Sequence, residues 1–279
     1  MTLRLGSSEF GDDELLVMAV VNRTPDSFYD KGSAYRLSDA IVQVDRAIAD
    51  GAQIIDIGGV KAAPGADISP SAEIRRVNSL IPIVRERHPN VAISVDTWRA
   101  EVAEAALISG ADIINDAWGG HDPDVARVAA EHGAGLVCTH AGGLTPRTVF
   151  RDIDYPDVMA EIRVTLAALA ERAVSIGVRR DAILIDPGHD FKKTTAHSLE
   201  VTRRLGELTS DPWPVLVAVS NKDFIGETLD LPVTQRLEGT VATLTVCALL
   251  GARVFRVHNV APARRALDIV STMRNRKTN

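Results

Sequence analysis

Residues 92–116 read AISVDTWRAEVAEAALISGADIIND. An apolar run over 92–96 closes on Asp96, and a stretch of good helix formers follows over 99–109. Gly110-Ala111 then precedes a second short run, 112–115, which closes on Asn115. Runs this short, bounded by turn residues, suit strands buried on both faces. Gly at such a junction can take the left-handed conformation that ends a helix, and the small Ala lets the chain turn tightly into the sheet. The stretch is strand, helix, strand, which is the repeating unit of a parallel sheet.

The same punctuation recurs outward from this unit. Gly51-Ala52, Gly133-Ala134 and Gly251-Ala252 also stand between a helical stretch and an apolar run. Further strands are expected over 15–22, 53–56, 135–140, 183–186, 215–220 and 253–258, and helices over 38–50, 71–87 and 156–176. Eight strands alternating with helices is the number that closes a barrel, and 279 residues is near the ~250 typical of one. The expected fold is an α/β protein with a single (β/α)₈ TIM barrel, one domain over 1–279. An apolar share of 46% supplies a large core, and an aromatic share of only 4% means that Ala, Val, Ile and Leu fill it.

Charge and cysteine usage narrow the class. Net charge is −6 with both signs interspersed, and no Lys/Arg run forms a patch for nucleic acid or a membrane surface. Cys138 and Cys247 lie far apart in apolar stretches, which fits core residues in a reducing compartment. Acidic Glu9, Asp12, Asp13 and Glu14 precede the first apolar run, unlike a signal peptide, and that run is too short to span a membrane. A cytoplasmic location is expected.

Each apolar run stops at a polar residue: Asn22, Asp56, Asp96, Asn115, His140, Asp186, Ser220 (with Lys222 beyond it) and His258. One such residue is only a chain leaving a core; eight at corresponding places face one mouth, where barrel active sites sit. Asp96, Asn115 and Asp186 then converge on one cavity and suit a flat heterocycle with adjacent N–H donors. Lys222, with Arg256 and His258 two apart on the last strand, brings cationic or donor groups to the usual barrel site for phosphate. Asn22 and the oxygen-rich Thr24-Pro25-Asp26-Ser27 suit a Mg²⁺ ion held between phosphates. Together these residues describe a phosphate- or diphosphate-bearing heterocycle. Asp56 serves equally well as a loop tie, His140 reads as a supporting residue behind the site, and His88, His121, His132 and His197 read as surface residues. No H-E-x-x-H, Cys/His cluster or nucleophile elbow occurs.

The ordered set of motifs resembles the dihydropteroate synthase family over nearly the whole chain. Asn22-Arg23-Thr24-Pro25-Asp26-Ser27-Phe28 is similar to its first loop, and Asp56-Ile57-Gly58-Gly59 with Pro64-Gly65 to the frame of its second. Ser94-Val95-Asp96-Thr97, Ile114-Asn115-Asp116, Asp186-Pro187-Gly188, Ser220-Asn221-Lys222 and Arg256-Val257-His258 follow in family order. The resemblance implies a homodimeric barrel that joins a pterin methylene to p-aminobenzoate with loss of diphosphate. In that scheme Asp96, Asn115, Asp186 and Lys222 hold the pterin, while Asn22, Arg256 and His258 manage Mg²⁺ and diphosphate.

Departures from the family cluster at the mouth. Its Glu-Ser-Thr-Arg in the second loop is Val60-Lys61-Ala62-Ala63 here, so two side-chain donors are lost. Its Asp-Pro-Gly-x-Gly-Phe-Gly-Lys becomes Asp186-Pro187-Gly188-His189-Asp190-Phe191-Lys192-Lys193, with Asp190 and Lys192 in glycine places. Ala218 replaces another Gly, Asn221 and Asp223 flank Lys222, and Thr139 and Ala141 replace methionines beside His140. A degenerate second copy with little or no synthase activity, keeping a diphosphate and heterocycle pocket, is the leading reading. A weak but genuine synthase and a non-catalytic regulatory barrel for another phosphorylated ligand are the alternatives; pterin-binding methyltransferases rank last. The uncharged helix 240–250, TVATLTVCALL, lacks the polar face of a solvated barrel helix and points to a homodimer interface.

Overall fold

The computed structural model describes residues 2–24, 35–61, 65, 67–143, 145–148 and 154–274. A hairpin of β1 (Leu3–Leu5) and β2 (Ser8–Phe10) precedes eight parallel strands. These are β3 (Leu16–Asn22), β4 (Ile54–Gly58), β5 (Ala92–Asp96), β6 (Ile113–Asp116), β7 (Gly135–Thr139), β8 (Ile183–Asp186), β9 (Leu216–Val217) and β10 (Val254–Val257). Strands β3 to β8 pair in chain order, β10 joins β3 to β9, and a parallel bridge between Ile185 and Val215 closes the barrel. The helices outside it are α1 (Leu37–Ala49), α2 (Pro70–Asn78), α3 (Ile81–Arg87), α4 (Ala100–Ile108), α5 (Asp124–Glu131), α6 (Val158–Ile176), α7 (Thr195–Arg203), α8 (Leu205–Thr209), α9 (Asp223–Leu229), α10 (Leu237–Leu249) and α11 (Val260–Arg274).

The glycine punctuation works as the sequence implies. Gly51, Gly110, Gly133 and Gly251 have φ of +100°, +107°, +63° and +102°. The following alanine N–H of each pair bonds back across the turn, as from Ala111 to the carbonyl of Ala106 at 3.1 Å and from Ala252 to Cys247 at 3.0 Å. This left-handed cap satisfies helix-end carbonyls and aims the chain into the next strand.

Two expected elements differ. The helix anticipated over 71–87 is two, α2 and α3, because Pro82 lacks the N–H a continuous helix needs and its ring crowds the preceding turn. The strand anticipated over 215–220 shrinks to Leu216–Val217. Beyond it the chain leaves the ladder to reach Asn221, which has φ +57° and gives its N–H to Thr240 Oγ1 at 3.0 Å.

Strand alternation divides the core. Val17, Ala19, Val21, Ile55, Ile57, Ile93, Val95 and Ile114 face the helices, while Leu16, Met18, Ile54, Ala92, Ile113, Val137, Leu184, Leu216 and Val254 fill the barrel. Leu3 and Leu5 of the hairpin complete this inner cluster, so the N-terminal segment plugs one end of the barrel. Cys138 and Cys247 are free and buried, as expected of core residues. Among the described residues no helix is long and apolar enough to cross a membrane.

Leu5 is fully buried in the plug. Leu5→Ala is expected to lower unfolding stability by ~2–5 kcal/mol in denaturant titration, since the plug cannot collapse around the lost volume.

Candidate functional site

Above the apolar layer, the same alternation turns polar groups inward. Asn22, Gly58, Asp96 and Asn115 are mutual register partners across β3, β4, β5 and β6, so they form one row around the mouth. Asp56 lies a step deeper, opposite Ser94. Thr139 pairs in register with Asp186 on the far wall.

Arg256 crosses this cavity from β10. Its Nε donates to Asp56 Oδ2 at 2.7 Å and its Nη2 to Asp96 Oδ2 at 2.9 Å, while Asn115 Nδ2 donates to the same Asp56 oxygen at 3.2 Å. Asp56 is thus the hub of a buried ion cluster, which answers its undecided role in the sequence. Arg256 belongs first to the carboxylates and is not a stand-alone anion hook. Burial pushes the Asp96 carboxyl up to about 7 against the pull of Arg256. Asp186 is raised as well, mainly by burial and opposed by Lys222, and its Oδ1 accepts the Gly188 N–H at 2.8 Å. Asp56 Oδ1, Ser94 Oγ and Thr139 Oγ1 are buried with no hydrogen bond among the described residues. Buried polar atoms of this kind normally meet a ligand or water.

His258 adjoins Ser220, whose Oγ lies 3.0 Å from Nδ1 and accepts the His258 backbone N–H at 3.2 Å. Burial, with Arg256 and Lys222 nearby, lowers its pKa to about 3, so it acts as a neutral hydrogen-bonding group and adds no cation at neutral pH. Asn22 offers a single neutral oxygen ligand. Among the described residues no group of three His, Cys, Asp or Glu could hold a metal. This donor set fits a Mg²⁺ that arrives with ligand oxygens, since Mg²⁺ typically keeps waters and phosphate oxygens among its ligands. Residues 25–34, which include Pro25, Asp26, Ser27 and Phe28, and residues 62–64, which include Ala62 and Ala63, lie outside the described residues.

The loop after β8 holds what sequence reasoning missed. Gly188, Asp190 and Lys192 have φ of +66°, +65° and +45°, so the two places where the family signature carries glycine remain left-handed with side chains on them. Lys193 is the latch. Its Nζ reaches His140 Nδ1 at 2.8 Å and the carbonyls of Gly188 and Phe191 at 3.0 Å each, with only 4% of the residue exposed. His140 is fully buried and held by Lys193 through Nδ1, while its Nε2 has no hydrogen bond among the described residues. His189, also buried, meets Thr202 Oγ1 at 3.1 Å and stacks on Phe224. Of the four histidines expected at the surface, His121 and His132 are exposed, while His88 pairs with Asp45 and His197 joins the Thr194 capping box.

The rim is aromatic. Trp118 meets Trp98 and Phe191 edge-on at centroid distances of 6.1 and 5.3 Å, and Val60 and Ile68 of the second loop pack on the cluster. Glu73, fully buried behind that loop, accepts from Thr97 Oγ1 and Arg99 Nη1, both at 2.7 Å. Arg23 of the first loop is structural, donating to the Tyr35 carbonyl at 2.6 Å and the Arg76 carbonyl at 3.3 Å.

The barrel mouth thus sets buried carboxylates and an amide around one arginine. The family profile described as "Pterin binding enzyme" matches residues 18–258, and the chain belongs to that family, within its dihydropteroate synthase branch. A Mycobacterium tuberculosis protein named "Inactive dihydropteroate synthase 2" is 51% identical over 265 residues, covering 94% of this chain and 83% of the relative. The Bacillus subtilis dihydropteroate synthase is 40% identical over 268 residues, covering 95% and 90%. Among solved structures, a Coxiella burnetii dihydropteroate synthase in complex with pteroic acid superposes with a TM-score of 0.89 at 28% identity, covering 99% of each chain.

Burial lowers the Lys193 pKa to about 7 from the ordinary lysine value of 10.5. The fold favours the neutral amine, so its stability contribution is full above the ordinary value and is lost as pH falls through about 7. Denaturant titrations from pH 7 to 10 are expected to show stability rising along this limb, and Lys193→Met to flatten it.

Proposed function

We propose that this chain is a dihydropteroate-synthase-like paralogue with little or no condensing activity, which keeps a pocket for a pterin-type heterocycle bearing diphosphate. The carrying observation is the contrast between interior and rim. The inward set of Asp56, Asp96, Asn115 and Arg256 forms one bonded cluster. At the rim, Asp190 and Lys192 occupy left-handed positions where the family signature has glycine, and they add charge where backbone alone is expected. The naming of the mycobacterial relatives supports the same reading.

In this proposal the paired acceptors of Asp96 and Asp186 receive the heterocycle's N–H donors, Asn115 adds an amide contact, and Lys222 stands over the outer edge. Asn22, Arg256 and His258 take the diphosphate end, together with Mg²⁺, which supplies charge neutralisation on the diphosphate when bound. The lost turnover is assigned mainly to the missing second-loop donors at Ala62 and Ala63, and secondarily to Asp190, Lys192 and Ala218. One oxyanion-type donor is commonly worth ~10²–10³ in rate. The chain is taken to work as one domain over 1–279, in the cytoplasm.

Calorimetry with hydroxymethyl-dihydropterin diphosphate and complementation of a synthase-deficient strain test this together. Binding that needs Mg²⁺ and weakens in Arg256→Ala, without complementation, is the expected result. Ordinary complementation overturns the inactive reading in favour of a working synthase, and no pterin binding overturns the pocket. Because Asp96 accepts donors best when ionised, affinity is expected to rise with pH through about 7 in the wild type and to lose that dependence in Asp96→Asn. Restoring the loop by Val60→Glu, Lys61→Ser, Ala62→Thr and Ala63→Arg together is expected to raise activity at least about tenfold, ~1.4 kcal/mol at the barrier.

A homodimer is proposed as well. Helix α10 buries Thr240, Leu244, Cys247 and Ala248 but leaves Val246 and Leu249 exposed, and the adjoining α11 exposes Ile269 and Met273. Analytical ultracentrifugation at micromolar concentration is expected to give a dimer.

A further inference from the structure

Asp190 is held in place more firmly than a loop aspartate needs. At φ +65° it sits in left-handed backbone space that favours glycine. The side chain is pinned from two helices. Its Oδ1 accepts from Ser198 Oγ of α7 at 3.1 Å, and its Oδ2 accepts the backbone N–H of Asp223 at 2.8 Å and of Phe224 at 3.4 Å, both in α9. The Asp190 N–H in turn donates to Ser198 Oγ at 3.2 Å.

This fixes a carboxylate beside Lys222, the residue immediately before Asp223. The Lys222 ammonium donates to the carbonyl of His189, the neighbour of Asp190 on one side. It also stands 5.1 Å from the ring centroid of Phe191, the neighbour on the other. Lys222 therefore touches the two neighbours of Asp190, a carbonyl and an aromatic face, and feels the Asp190 carboxylate as a nearby opposite charge without a direct ion pair. Asp186 adds a second acid near it on the wall side. Arg256 is engaged by Asp56 and Asp96. Both of these mouth cations thus carry internal counter-charges, and Asp190 cannot swing aside without giving up three hydrogen bonds from Ser198, Asp223 and Phe224.

We propose that Asp190 is a specificity-determining residue, the resident counter-ion of Lys222, which makes the rim accept an uncharged or cationic aromatic partner beside the heterocycle and turn an acidic one away. An aromatic acid arriving at Phe191 finds an ammonium whose charge is offset by a nearby carboxylate, fixed in place to repel it; an aromatic amide or amine finds the same ring face without that penalty. The inference rests on the pocket proposed above and names the charge of the partner it serves.

The test uses two probes of nearly the same shape, the anionic 4-aminobenzoate and the uncharged 4-aminobenzamide, titrated with and without 6-hydroxymethylpterin at neutral pH. Calorimetry reads affinity, and emission from Trp118, in edge contact with Phe191, reports arrival at the rim. Asp190→Asn removes the charge, keeps an oxygen for the Asp223 N–H, and tolerates the left-handed backbone. The wild type is expected to bind the amide at least as tightly as the acid. In Asp190→Asn the acid gains about tenfold, ~1.4 kcal/mol, and the amide stays within about twofold. Asp190→Gly, which relieves the backbone, is the second variant and is expected to show the same acid-selective gain. The inference is overturned by a wild type that prefers the acid, by equal gains for both probes, or by neither probe binding any variant. Loss of pterin binding alone, with the acid-selective gain intact, instead removes the pocket proposal and leaves the role of Asp190 standing.

Discussion

Three charged side chains from three strands meet inside this barrel, and much of the mouth is arranged around them. Arg256 on β10 spans to Asp56 on β4 and Asp96 on β5, and Asn115 on β6 closes the group. Charges this deep persist only when paired and hydrogen-bonded, because desolvation of an isolated one is far costlier than the pair. The bridge also fixes function-bearing geometry. It ties the Asp96 carboxyl to Arg256 and, through Asp56, to the Asn115 amide, while burial lifts the Asp96 pKa to about 7 against the pull of Arg256. The parallel pleat makes it feasible, since register places Asp96 level with Asn115 and a step above Asp56.

The rim obeys a different physics. Its residues sit on loops, where a side-chain change need not disturb the barrel layers, so chemistry can be altered while the fold is kept. The loop after β8 is the clearest instance. Its left-handed positions at Asp190 and Lys192 are compensated by Ser198, by the backbone of α9 and by the Lys192 bond to the Gly142 carbonyl at 2.9 Å. Lys193 then ties the same loop to β7 through His140. A backbone path that favours glycine is thus held by polar anchoring with side chains in place.

Much of this was legible along the chain. The Gly-Ala pairs mark helix ends because only glycine adopts the left-handed cap at little cost, and all four do so. The polar residues that end the apolar runs lie at the mouth because a parallel barrel puts all its strand ends on one side. The expected helix over 71–87 is divided near Pro82, a signal the sequence carries at the start of the second helix. The hairpin plug went unseen, since three-residue strands carry too short an alternation to stand out, and only their burial in the barrel reveals them.

The amino-acid order by itself determined the barrel, the row of polar strand ends and the family, because periodicity, caps and motif order are local and survive without knowledge of contacts. It did not determine which charges pair. Asp56 as hub, His258 as a neutral group, Lys193 rather than Lys192 as the buried latch, and Asp190 beside Lys222 were decided by tertiary structure alone. The physical reason is that pairing and desolvation depend on distances between residues up to 200 positions apart, as for Arg256 and Asp56. Those distances exist only once the sheet has closed.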